Sequence, residues 1–177
     1  MKQNTEQTTR TTRVVVIYAD DKKGLLGQIL MFFNRRDVMI CDINIAKTDI
    51  QHMLMITIEV QLQDSDNYLV DKLRNIIEVH HVNVYPADEV KLNKIAFFKL
   101  KNECLKTDMW VQLQKYGLVI TEMLDDEFVV QKTGTEPDLD ELYRQLDGAC
   151  LVSYCKSALV VPQSLIAVDL LLQQATG

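Results

Sequence analysis

The hydrophobic pattern of this chain changes period in the same order twice, and that repetition limits the folds open to it more than any other feature. "RVVVIYA", near the N-terminus, is a β-branched run of strand type. From Gly24 onward, Leu25, Leu26, Ile29, Leu30, Phe32 and Phe33 take the spacing of a helix that buries one face. "MICDINIA" and "MLMITIEV" then alternate with period two, placing Met39, Cys41, Ile43 and Ile45 on one face of the first and Leu54, Ile56, Ile58 and Val60 on one face of the second. Asp64, Ser65 and Asp66 can cap a second helix carrying Leu69, Leu73, Ile76 and Ile77. "EVHHVNVY" returns to strand before Pro86.

The second half repeats the order with little identity. A strand "KIAFFKL" leads to a helix from Thr107 to Tyr116, then to strands "LVITEML" and "EFVVQK" hinged at Asp125-Asp126. A helix from Pro137 follows, with Leu139, Leu142, Tyr143 and Leu146 as its buried stripe, and "CLVSYCKSALVV" closes the unit. Strand, helix, strand, strand, helix, strand, read twice, predicts an α+β fold of two ferredoxin-like βαββαβ units in tandem. The expected boundaries are 13–86 and 92–162, joined near "PADEVKLN". A disordered tail, 1–12, has few apolar groups to bury, and in a last segment, 163–177, Ser164 could cap a short leucine-rich helix. In each unit the helices cover one sheet face. The other face of the first unit, showing Ile40, Met53 and Met55, is expected to be an apolar patch that dimerisation covers.

Charge and composition remove several classes of function. The formal charge is −6, which gives no electrostatic reason to approach nucleic acid or an anionic membrane. No apolar run approaches a membrane span and the N-terminus is polar, so a cytoplasmic protein is expected. Cys41, Cys104, Cys150 and Cys155 lack metal-ligand spacing and read as small buried hydrophobes. His80 and His81 are adjacent in a strand and point to opposite faces, so they cannot chelate one metal together. The acidic pairs stand at turns and helix starts, where capping explains them. No phosphate loop, nucleophile elbow or zinc-helix motif is present, and neither catalysis, a cofactor nor a metal is expected of this chain.

The stretch "DDKKGLLGQILMFFNRRDVMICDINI" and the second-half run from "KIAFFKLKN" to "SALVV" resemble the small regulatory subunits of acetolactate (acetohydroxyacid) synthase over about residues 13 to 162. The first half of such subunits is an ACT domain, an amino-acid-sensing ferredoxin-like module. The resemblance implies a non-catalytic regulatory subunit that activates a thiamine-diphosphate-dependent catalytic subunit. It further implies a homodimer through the ACT domains and feedback inhibition by a branched-chain amino acid such as valine. The alternative is a stand-alone tandem-ACT regulator of another pathway or of a transcription factor.

The turn before the first helix suits a small zwitterion. Unpaired N–H groups and the positive end of the dipole at a helix start favour a carboxylate, and glycine there leaves the backbone approachable. Asp20 or Asp21 could take the ammonium group. The expected effector residues are Asp20, Asp21, Lys23, Gly24, Leu25, Leu26, Met39 and Ile40. Asp21 and Met39 stand where the family commonly has asparagine.

Overall fold

The computed structural model describes residues 10–63, 66, 68–148 and 150–158. The expected caps Asp64 and Ser65, and the whole segment 163–177 with its Ser164-capped helix, lie outside these residues. Two units are present, one up to Lys91 and one from Leu92. The first runs β1 (Thr11–Asp20), α1 (Leu25–Asn34), β2 (Met39–Lys47), β3 (Met53–Leu62), α2 (Tyr68–Arg74) and β4 (Val79–Pro86). The second runs β5 (Lys94–Lys101), a 3-10 turn (Asn102–Lys106), α3 (Asp108–Gln114), β6 (Val119–Met123), β7 (Glu127–Gly134), α4 (Glu136–Leu146) and β8 (Leu151–Ala158). The sheets have the orders β2-β3-β1-β4 and β6-β7-β5-β8, with every pairing antiparallel. Both units are ferredoxin-like.

β1 sits at the centre of its sheet, and its continuous apolar run has a direct structural counterpart. Every residue from Val14 to Ala19 is buried, so the strand is covered on both faces. Val15, Ile17 and Ala19 join Leu25, Ile29 and Phe33 of α1, Leu69 and Leu73 of α2, and Ile56, Ile58 and Val60 of β3 in the core between sheet and helices. A second core is built on Phe98, Phe128, Val130, Leu113, Leu139, Leu142 and Leu146.

Several expectations are corrected. β1 begins at Thr11, and Thr11 and Thr12 pair with Leu62 and Gln61, so they belong to the sheet and not to the tail. Ile40, Met53 and Met55 do not make one exposed apolar face. A bulge between Ile40 and Asp42 sets Ile40 opposite the core residue Val60 and packs it on the helix side, while Met55 is buried and Met53 half-buried. α2 stops at Arg74, so Ile76 is buried in the turn after it but Ile77 is 91% exposed. The first helix of the second unit is shorter than Thr107–Tyr116, because residues 102–106 form a 3-10 turn before it and Gly117, at φ +67°, ends it.

Of the four cysteines only Cys104 and Cys150 are buried; Cys41 and Cys155 are exposed. Burial in the second core, with the neighbouring Cys150 thiol adding to it, pushes the Cys104 pKa up to about 12. Among the described residues no helix is long and apolar enough to cross a membrane, and no group of three or more His, Cys, Asp or Glu could hold a metal ion.

Candidate functional site

The turn between β1 and α1 is shaped by Gly24, whose φ of +89° lies in the left-handed region that an L side chain enters only at a cost. A Cβ added there would meet nothing within 4 Å, so the glycine is required by its backbone angle and opens on free space. Leu25 N–H donates to Lys22 O at 3.2 Å and Gln28 N–H to Gly24 O at 3.1 Å, and no side chain caps the helix. The positive end of α1 is therefore left open.

A cleft of about 400 Å³ lies against this open end. Asp20, Asp21, Lys22, Gly24, Leu25 and Leu26 form one side, and Ile45 and Lys47 from the end of β2 with Leu54 and Ile56 from the start of β3 form the other. The β2–β3 register, which pairs Ile45 with Ile56 and Lys47 with Leu54, brings this second side together. Charged groups thus ring an aliphatic floor.

The two aspartates differ. Asp20 Oδ1 is 2.7 Å from His80 Nε2, across the β1–β4 pairing. Asp21 donates its backbone N–H to His52 O at 2.7 Å, and its exposed carboxylate has no ionic partner among the described residues. Lys22 is paired with Glu78, which raises the Lys22 pKa and lowers that of Glu78, in each case mainly through the hydrogen bond between them. Lys47 has no such partner among the described residues. The cleft therefore offers one uncommitted carboxylate, one uncommitted ammonium group and an uncapped helix start.

Of the residues expected from sequence, Asp20, Asp21, Gly24, Leu25 and Leu26 come together here. Lys23 is not part of the cleft lining, and Met39 and Ile40 sit at the other end of β2, about 25 Å from Lys47 at the usual rise per residue. Lys22, Ile45, Lys47, Leu54 and Ile56 were not anticipated. The alternation of β2 and β3 put Ile45, Leu54 and Ile56 on core faces, but only the register shows that they meet the helix start.

The second unit has a cleft of about 420 Å³ at another place, lined by Lys115, Tyr116, Lys132, Thr133, Pro137, Asp138, Glu141 and Leu142. Its polar groups are largely engaged within the chain. Lys132 donates to Tyr116 O, and the Thr135 N–H and hydroxyl both donate to Asp138 Oδ2, at 3.1 and 2.6 Å, capping α4. Those bonds hold the Asp138 carboxyl below the usual aspartate range.

Comparison with known proteins follows the same lines. The acetolactate synthase small subunit of Mycolicibacterium smegmatis is 20% identical over 151 residues, spanning 84% of this chain and 89% of that protein. The crystal structure of the acetolactate synthase small subunit from Thermotoga maritima matches with a TM-score of 0.74 at 16% identity, covering 85% of this chain and 95% of the other. No family model matches. The chain resembles acetolactate synthase small subunits in sequence and has their fold.

Proposed function

We propose that this chain is a regulatory subunit of acetolactate synthase, without chemistry of its own, that binds and activates a catalytic chain and senses a branched-chain amino acid at the cleft beside Gly24. The observation that carries the sensing is the uncapped start of α1 facing an aliphatic floor. A free amino acid would place its carboxylate at the helix start and near Lys47, its ammonium group at Asp21, and its side chain on Ile45, Leu54 and Ile56. Asp21 takes this role over Asp20 because His80 already engages Asp20.

Met39 and Ile40 enter the site through a second copy. β2 is an edge strand whose Met39 and Ile45 are 56% and 42% exposed. Laying two such edges antiparallel about a two-fold axis at Ile43 brings Met39 of one copy to Lys47 of the other, so each cleft is closed by the other chain's strand. The effector then inhibits by binding the inhibited state more tightly, with a coupling of about 1 to 3 kcal/mol.

The test adds the purified full chain to the acetolactate synthase catalytic subunit and follows activity with and without valine, leucine or isoleucine. Activation is expected; absence of both binding and activation would leave a regulator of another pathway. Calorimetry separates the sensing. Asp21→Ala should weaken effector binding about 10- to 100-fold, by removing the charged hydrogen-bond partner of the ligand's ammonium group. An unchanged affinity would refute this orientation of the ligand.

A further inference from the structure

β6 is a thinly covered strand. All five of its residues are exposed, and it forms one edge of its sheet. Apart from Glu122, the side chains are not the charges that usually blunt such an edge. Val119 is 59%, Ile120 41% and Met123 57% exposed, and Leu124 follows at 39%. Val111, on the helix just before, is 59% exposed.

The first unit is built the same way. β2 is the matching edge, Met39 and Ile45 stand out from it, and Met31 on the preceding helix is 49% exposed. Each strand carries a bulge, between Ile40 and Asp42 near the start of β2 and between Ile120 and Glu122 at the middle of β6.

From this we infer that β6 is a self-association edge in its own right, at which the second units of two copies lie side by side with their β6 strands antiparallel about a two-fold axis at Thr121. This inference does not depend on the acetolactate synthase reading. It rests on complementarity between the two ends of one strand. An axis at Thr121 sets Val119 of one copy opposite Met123 of the other, apolar against apolar at both ends, and Glu122 opposite Ile120 and away from its own counterpart. It also carries the turn Asp125-Asp126 of one copy past Gly117 toward Lys115 of the other. The side chains of Lys115, Asp125 and Asp126 have no ionic partner among the described residues, so a second copy supplies to each end the charge that its own chain does not. A parallel arrangement would put the two acidic turns together, at a cost from like-charge repulsion.

The decisive experiment is a position-specific cross-link in the full chain. Thr121→Cys is made with Cys41→Ser and Cys155→Ser, which remove the two exposed natural thiols, and is treated with diamide. A disulfide needs Cα atoms about 4.4 to 6.8 Å apart, a separation met at the axis. A covalent dimer on a non-reducing gel is expected, absent from the same background without Thr121→Cys and formed at least tenfold more slowly when Ile120→Asp is added. Sedimentation velocity of Ile120→Asp in the otherwise natural chain, with circular dichroism as the folding check, should show self-association weakened at least tenfold. No cross-link at Thr121→Cys, or association untouched by Ile120→Asp, overturns the inference.

Discussion

The two units enter their first helices by opposite means, although their strand orders are the same. After β1 the chain turns through a left-handed Gly24 and leaves α1 uncapped beside a cleft. After β5 it coils at once into a 3-10 turn, where Cys104 is fully buried, Leu105 packs on the core and Thr107 donates its hydroxyl to Cys104 O at 2.8 Å. Lys101 N–H donates to Cys150 O, tying the same region to the start of β8. The first unit keeps unspent polar groups at this corner; the second uses the corner as packing. Nearly identical topology thus separates an open, uncapped corner from one that holds its fold together.

The largest test of this contrast is in the cores. Phe128→Ala should cost the second unit about 3 to 5 kcal/mol and Ile29→Ala the first about 2 to 5 kcal/mol, read from urea unfolding. A smaller loss at Phe128 would mean that the second unit leans less on packing than described. Next come two glycines of one turn and helix. Gly24→Ala should destabilise by about 1 to 2 kcal/mol because of its left-handed backbone. Gly27→Ala, in the exposed helix interior with open space around it, should stabilise by about 0.5 to 1 kcal/mol. Equal effects at both would remove the special status of Gly24.

Capping gives the next smaller effect. Thr135→Ala should cost about 1 kcal/mol of stability. Because the folded Asp138 pKa is depressed, the carboxylate's part in this cap is fully present above the ordinary aspartate range, near pH 4, and is lost as the pH falls through the folded value. Asp138→Asn should therefore differ from the natural chain at pH 7 and converge on it toward pH 2 in the same urea series. Smallest of all, Lys22→Gln should leave the unfolding midpoint almost unchanged, since the Lys22 side chain that pairs with Glu78 lies mostly in solvent.

Periodicity carried most of the architecture because each strand and helix has one face committed to a core, and alternation or helical spacing records that face directly. Gly24 was legible for the same kind of reason: a glycine between a strand run and an amphipathic helix has few other uses. What local pattern could not carry was whatever depends on partners far along the chain. Lys22 and Glu78 are 56 positions apart, and Asp20 meets His80 only because β1 and β4 are neighbours. The bulge at Cys41 reversed the face of Ile40, since a single inserted residue flips a period-two pattern that looks unbroken in the sequence. The 3-10 turn at 102–106 hid inside a stretch whose apolar spacing passes for the run-up to a helix.

The uneven burial of the four thiols makes the protein its own reporter. A thiol with a pKa near 12 inside the second core is almost entirely protonated at neutral pH and out of reach of an alkylating reagent. Cys41 on β2 and Cys155 on β8 are in solvent, so each labels one border strand of one sheet. Loss of labelling at Cys41 on mixing with another chain would mark β2 as the border engaged, without a single engineered residue.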